Sequence, residues 1–187
     1  MPWRCKGRAR VRFDSVKFKN MVHYVIWKCP DGSKLGATKL NKILWLSDMR
    51  FYMLHGRPIS GATYTKQQFG PVPKAIMPIR EELEKEGAIK VWRDRQFAGP
   101  YGKDTFLSRR PPDTSLFSPE ELATIAYWLK HVCEEHTAAS ISDETHDYVW
   151  EIAKLGETIP MYAVFATRLR EPNAEELAWA RQESGSA

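Results

Sequence analysis

The chain has 187 residues, of which 43% are hydrophobic and seven are tryptophan, enough for the core of one domain of ordinary size. Residues 1–19 carry seven Lys/Arg against one acid, a net charge of +6, so the remaining residues sum to −1 within the overall +5. No apolar run approaches the roughly 18 residues of a membrane span, and the first residues lead into no signal-peptide core. The three cysteines are widely spaced and fit no zinc or disulfide pattern, so we expect a cytoplasmic protein without a membrane segment.

The charge of the N-terminus comes from a basic arm, predicted over residues 1–14, that holds Arg4, Lys6, Arg8, Arg10 and Arg12. Such an arm can neutralise phosphates, so weak nucleic-acid binding is one function that it allows. The alternative is an arm that only aids solubility, or an exposed strand whose arginines line one face.

Two helices are predicted after the arm. The first begins near Ser15 and ends before the Pro30-Asp31-Gly32 turn. The second covers residues 38–55, with Thr38 as its N-cap and Gly56 as its left-handed C-cap. Its apolar stripe is broad, which predicts burial on more than one side.

The middle of the chain is predicted to alternate between extended and helical segments. Residues 59–69 are typical of extended structure. A helix is expected from Pro73 to Glu86, with a kink or restart at Pro78 because proline removes a helical hydrogen bond. Two strands, residues 88–95 and 103–110, then form a hairpin with a long loop.

Two further helices and a short segment complete the prediction. Ser118-Pro119-Glu120-Glu121 has the cap, proline and glutamate of a helix start, and this helix should run to about Glu135. Ser142 should cap another helix through Leu155, followed by a short segment at residues 161–165 and a tail at 171–187. The fold class is therefore α+β, predominantly α-helical, with a helical core and a winged-helix-like two-stranded hairpin.

No catalytic motif is present, and we predict no enzyme activity, no cofactor and no bound metal. The densest polar cluster is residues 131–136, where His131 and Glu135 would share a helix face while Cys133 points elsewhere. His146 and Asp147 from the next helix could complete a metal site; the alternative is a solvated helix end. Acid–base catalysis by Asp48 with His55 or His23 would need a cleft.

The residues from Thr38 to Pro73 carry a family resemblance. The run T-K-L-N-K-I-L-W-L-S-D, then Tyr52, G-R-P-I-S-G-A-T-Y and F-G-P-V-P resembles the Panacea domain, also called the SocA-like antitoxin domain. The resemblance extends over about residues 18 to 165 and places the domain at residues 15–170. Members of that family, in bacteria and in their phages and prophages, supply antitoxins of toxin–antitoxin systems.

The resemblance implies a set of motif residues whose roles remain open. Candidates for partner binding are Thr38, Lys39, Lys42, Trp45, Asp48, Tyr52, Arg57, Tyr64 and Phe69. Structural positions are Gly56, Pro58, Gly61, Gly70 and Pro71. For Asp48, the two interpretations are a buried clamp on the G-R-P-I-S-G turn and, with Tyr52, part of a partner-binding surface.

The function implied is that of an antitoxin that neutralises a cognate toxin, encoded by a neighbouring gene, through direct protein–protein binding. Two alternatives are kept: an adaptor that delivers the toxin to a Clp-type protease, and a winged-helix-like nucleic-acid-binding regulator. Four glutamates in residues 73–86 argue against a phosphate-facing recognition helix there.

Overall fold

The structure is a computed structural model that describes residues 12–29, 31–94, 103–144 and 153–168. The α-helices are α1 (Ser15–Lys28), α2 (Gly36–His55), α3 (Ile76–Lys85), α4 (Pro119–Lys130) and α5 (Ala138–Glu144). The strands are β1 (Tyr64–Gln67), β2 (Gly70–Pro73), β3 (Ile89–Asp94), β4 (Lys103–Ser108) and β5 (Thr158–Ile159). The predicted α+β, predominantly helical fold class is confirmed.

The first two helices follow the sequence closely except at one cap. Asp14 caps α1 by accepting from the Lys17 N–H at 2.9 Å. Gly56 ends α2 with a left-handed φ of 69°, as expected. The prediction that Thr38 is the N-cap is wrong, because α2 already begins at Gly36. Gly36 has a φ of 63°, a left-handed value that glycine adopts without strain.

A small antiparallel sheet has the strand order β2-β1-β5, with Tyr64 opposite both Pro73 and Ile159. The prediction that a helix begins at Pro73 is wrong, because β2 ends there and α3 starts at Ile76. Prolines are tolerated in β2 because it is an edge strand. Pro78 causes no restart, since it lies in the first turn of α3, where its N–H would have no helical acceptor.

The predicted hairpin is confirmed as β3 paired with β4, in register from Ile89 opposite Ser108 to Asp94 opposite Lys103. Its connecting loop, residues 95–102, lies outside the described residues. His23 of α1 lies 3.0 Å from the Ser108 hydroxyl through its Nε2 atom. Arg80 of α3 forms an ion pair with Asp104 of β4, so side chains of two helices tie the hairpin to the helical core.

In the C-terminal half, the end of α4 and the start of α5 differ from the prediction. The capping box of Ser118 and Glu121 is present, but α4 ends at Lys130 and continues as a π-helical turn, His131–Glu135. Ser142 as a helix start is wrong, because it lies inside α5. The rest of that predicted helix includes residues 145–152, which lie outside the described residues, as do residues 169–187. A 3₁₀ helix, Met161–Arg168, extends the predicted short segment.

Helix α2 lies at the centre of the described core. It packs against α1, α4, α5, β2 and β4, which confirms the predicted burial on several sides. Apolar side chains with no exposed area come from α1, α2 and the α4 end, including Met21, Val22, Leu40, Ile43, Leu44, Ile125 and Val132. This position of α2 decides which of its side chains can reach a partner.

Candidate functional site: a buried motif and an open groove

The structure divides the predicted contact residues by burial. Arg57 and Phe69 are exposed, and Thr38 and Tyr52 are half-buried. The other five are buried: Lys39, Lys42, Trp45, Asp48 and Tyr64. The buried residues contribute to the interior, whereas the exposed ones remain candidates for contact with a partner.

The Asp48 carboxylate is fully buried and is held by three donors. Ser60 donates from its N–H to Oδ1 at 2.8 Å and from its hydroxyl to Oδ2 at 2.6 Å. The Tyr64 hydroxyl donates to Oδ2 at 2.8 Å. Burial raises the pKa of Asp48, and the hydrogen bonds from Ser60 and Tyr64 oppose that rise. The carboxylate therefore joins α2 to the turn before β1, as the clamp interpretation predicts.

A second buried polar side chain, Lys42, lies directly under β2. Gly70 begins this strand with φ at 119°, and a Cβ there would lie 1.8 Å from the Lys42 Nζ atom. Only 1% of Lys42 is exposed, so the ammonium has little room to move away. The backbone conformation therefore favours glycine at this position, and an added Cβ would also force the Lys42 side chain to shift.

Arg57 takes part in an ion cluster at the junction of α1, α2 and α4. Glu121, only 1% exposed, accepts from Arg57 at 2.8 Å and from Lys17 at 2.7 Å. Although burial acts to raise it, hydrogen bonds from Lys17, the Ser118 backbone and Arg57 lower the pKa of Glu121. Arg57 also lies over the Phe51 ring at 5.0 Å. It thus keeps its guanidinium at the surface while fixing the first turn of α4.

An open groove of about 520 Å³ lies between α2 and α4. It is lined by Arg50, Leu54, Ala123, Thr124, Tyr127 and Trp128. Leu54 is 58% exposed and Tyr127 is 62% exposed. The buried indole N–H of Trp128 has no acceptor among the described residues. Among the same residues, Arg50 forms no salt bridge. The groove therefore combines exposed apolar surface with two donors that lack protein acceptors.

None of these groove residues was among the predicted contacts. The sequence does hold one signal for them, because Tyr127 and Trp128 lie off the apolar face of α4 that Leu122, Ile125 and Leu129 define. Two large aromatic residues outside a helix's core face indicate surface use. The pairing of that surface with Arg50 of α2 depends on how the two helices pack, which the sequence does not give.

The polar cluster after α4 has a different composition from the one considered in the sequence. His131 Nδ1 lies 2.6 Å from Glu135 Oε2, and its Nε2 lies 3.2 Å from His136 Nε2. One ligand atom from each of these residues lies within 4.8 Å of the others. The contacts of His131 with the Glu135 carboxylate and with the His136 ring hold these three side chains together. Cys133 is turned away from it, and His146 and Asp147 lie outside the described residues.

The residues considered for acid–base catalysis do not come together. His23 contacts Ser108, and His55 stacks on Phe51 at 4.1 Å, whereas Asp48 is enclosed by Ser60 and Tyr64. Of the predicted basic arm, only Arg12 falls within the described residues; Arg4, Lys6, Arg8 and Arg10 do not.

The fold and the site define a class: a mainly helical protein in which buried polar contacts join the central helix to the small sheet and an open groove lies between α2 and α4. In the described parts of the chain, every helix is too short or too polar to cross a membrane.

The family model described as "Antitoxin SocA-like, Panacea domain" matches residues 40–151, more than half of the chain, and the chain belongs to this family. No curated protein and no solved structure matches the chain.

Proposed function

We propose that this protein is an antitoxin that neutralises a toxin encoded by a neighbouring gene, and that the α2–α4 groove is the surface that binds it. The observation that carries the choice of surface is the groove itself, where exposed Leu54 and Tyr127 lie beside the Arg50 guanidinium. Family membership supports an antitoxin role and, in general terms, a toxin partner. Direct binding, without catalysis, is the mechanism that needs no further chemistry from this chain.

The groove chemistry supports a partner segment of a particular kind. Exposed tyrosine, tryptophan and arginine side chains are the residue types that contribute most to protein–protein binding. The Arg50 guanidinium donates, so the partner should present acceptors, such as an Asp or Glu side chain, next to an apolar side chain that covers Leu54 and Tyr127. The proposed occupant is thus an acidic, partly apolar segment of the toxin.

Arg57 links the motif to this surface. It follows the C-terminal end of α2 and binds Glu121 in the first turn of α4, so it lies at one end of the same helix pair that forms the groove. Its guanidinium remains exposed and can contribute a second positive charge to an acidic partner. Phe69, by contrast, lies in the β1–β2 turn, where its carbonyl oxygen accepts from the Ser142 hydroxyl of α5 at 3.1 Å.

The test is co-purification of tagged protein with the product of the neighbouring gene, washed at about 0.5 M salt to screen charge-only contacts. A protein that is toxic alone and is retained in stoichiometric amount supports the proposal. Leu54→Glu should abolish its retention. Val16→Glu is the matched control, because Val16 is an apolar helix residue that is also 58% exposed. Equal retention by both variants would exclude the groove as the binding surface.

The two alternatives are outcomes of the same experiment. If the bound toxin disappears from cells only when a Clp-type protease is present, the protein acts as an adaptor. If nucleic acid alone is retained at low salt and lost in the wash, the protein acts instead as a winged-helix-like nucleic-acid-binding regulator. The acidic surface of α3, with exposed Glu81 and Glu82, argues against a phosphate-facing role for that helix.

A further inference from the structure

Two cysteines that are far apart in the sequence meet in the structure. Cys29 follows the last residue of α1, and Cys133 lies in the π-helical turn after α4. Their side chains form a thiol–thiol hydrogen bond. Cys29 Sγ also lies 3.2 Å from the carbonyl oxygen of Asp31. Both are free thiols.

A cavity of about 430 Å³ opens onto both sulfur-bearing residues. Its charged lining consists of three lysines and two acids: Lys28, Lys34, Lys130, Asp31 and Glu134. The ammonium of Lys39, buried in α2, also acts on both cysteines and lowers the pKa of each. Cys29 is only 8% exposed and Cys133 is half-buried, so the cavity is the route by which a small reagent reaches them, and a cationic surrounding of this kind favours the reactive thiolate.

The two thiols are not equivalent. The hydrogen bond from Cys133 lowers the pKa of Cys29 to about 7, against the effect of burial. The same hydrogen bond, together with burial, raises the pKa of Cys133. At neutral pH about half of Cys29 is therefore thiolate, whereas Cys133 remains a thiol. This is the arrangement of a nucleophilic cysteine beside a resolving cysteine.

We propose that Cys29 and Cys133 form a peroxide-reactive pair, a modification site that closes to an intramolecular disulfide between the end of α1 and the turn after α4. This site is independent of the proposed antitoxin function, since it uses neither the groove nor a toxin. Hydrogen peroxide is small enough to enter the cavity and is the oxidant class that the site requires.

The reaction proceeds in two balanced steps. The Cys29 thiolate attacks one oxygen of hydrogen peroxide; an S–O bond forms, the O–O bond breaks, and hydroxide leaves and takes up a proton from solvent. The Cys133 sulfur then attacks Cys29; the S–S bond forms, the S–O bond breaks, and the hydroxyl leaves as water with the Cys133 proton. The two thiols lose two electrons in total, and the peroxide is reduced to water.

The experiment uses the full chain with Cys5→Ser, which removes the third cysteine and leaves only the pair. After treatment with hydrogen peroxide at pH 7, the intact mass should fall by about 2 Da, and digestion should yield a peptide that joins residues 29 and 133. In the Cys133→Ser variant the reaction should stop at a sulfenic acid on residue 29, which dimedone traps. The Cys29→Ser variant should gain neither product.

A second readout needs no disulfide. In the folded Cys133→Ala protein the side-chain donor is lost, so alkylation of Cys29 should have a pH midpoint above the value of about 7 expected with Cys133 present. In urea both forms should return to about 8.5. The proposal is overturned if peroxide leaves both thiols alkylatable in the folded protein, or if dimedone labels residue 133 in preference to residue 29.

Discussion

The two faces of α2 differ more than any other pair of surfaces in the described structure. Asp48, on one face, is fully buried and accepts three hydrogen bonds from the segment that leads into β1. Arg50, two residues later, faces the groove shared with α4, where the described residues offer it no carboxylate. The carboxylate on the first face is hydrogen-bonded within the protein, whereas the Arg50 guanidinium on the second face has no salt-bridge partner among the described residues.

This difference separates the residues of the family motif from the residues proposed to contact a partner. The buried polar residues of the motif join α2 to the turn and to the small sheet, as the contacts of Asp48 with Ser60 and Tyr64 show. Residues that close a scaffold can be shared by proteins with different partners, while the groove side chains are free to vary with the partner. Changes to the first face should therefore reduce stability, and changes to the second should reduce binding.

The largest effect on stability is expected for Asp48→Ala. It removes the acceptor of three hydrogen bonds and leaves buried donors of Ser60 and Tyr64 without a partner. The loss in free energy of unfolding should be about 3–5 kcal/mol, measured by urea denaturation. Asp48→Asn is the control and should cost about half as much, because both hydroxyls can turn to accept from the amide. An unchanged unfolding midpoint in Asp48→Ala would remove Asp48 from the scaffold.

The pH dependence sharpens this test. Because burial raises the pKa of Asp48 in the folded state, the folded protein binds more protons than the unfolded chain above about pH 3.9. The contribution of Asp48 is complete below that pH and declines as the pH rises through the raised pKa. Asp48→Asn does not titrate, so its stability relative to the natural protein should improve from about pH 4 upward. A difference that stays constant would contradict the raised pKa.

A smaller loss is expected for Gly70→Ala. The new Cβ would be forced against the Lys42 ammonium, and alanine is strained at a φ of 119°. We expect a loss of about 2–3 kcal/mol in the free energy of unfolding. Gly56→Ala is the matched control, because Gly56 also has a positive φ but no atom within 4 Å of the added Cβ. It should cost about 1 kcal/mol; equal losses would mean that Lys42 moves aside.

Glu121→Gln should cost about 1–2 kcal/mol, since it keeps the shape but removes the charge that binds Lys17 and Arg57. The folded pKa of Glu121 is lowered, so its contribution is present above about pH 4.3 and is lost as the pH falls through the lowered value. The difference between the natural protein and Glu121→Gln, followed by thermal unfolding, should therefore shrink in acid. Exposed Glu120→Gln is the matched control and should change the unfolding temperature far less than Glu121→Gln.

Local signals in the sequence predicted most of the fold. The helix stripe ending at Gly56, the Ser118 capping box and the hairpin of β3 and β4 all depend on neighbouring residues, and each was found where expected. The failures involve long-range partners. The local sequence at Pro73 predicts a helix start. Pro73 ends a strand instead because it pairs with Tyr64, which is distant from the signals that predict a helix.

The candidate site was less predictable for the same reason. The sequence identified Asp48 and the turn after α2, because the motif is contiguous there. It did not bring Arg50 to Tyr127, or Cys29 to Cys133, because these pairs form only when α4 packs against the first two helices. Burial also changes the interpretation of motif residues. In the sequence, Lys42 and Trp45 are candidates for contact with a partner, but in the fold both side chains are buried.

Tyr127→Ala should have the smallest effect on stability and is the sharpest test of the second face. At 62% exposure, the ring contributes little to the core, so the free energy of unfolding should change by no more than about 0.5 kcal/mol. An aromatic side chain at the centre of an interface is typically worth at least tenfold in affinity, or about 1.4 kcal/mol. Titration with purified toxin should therefore show weaker binding with an unchanged unfolding curve, the reverse of the pattern expected for Gly70→Ala. If Tyr127→Ala instead unfolds the protein and leaves toxin affinity intact, the two faces of α2 do not divide scaffold from recognition.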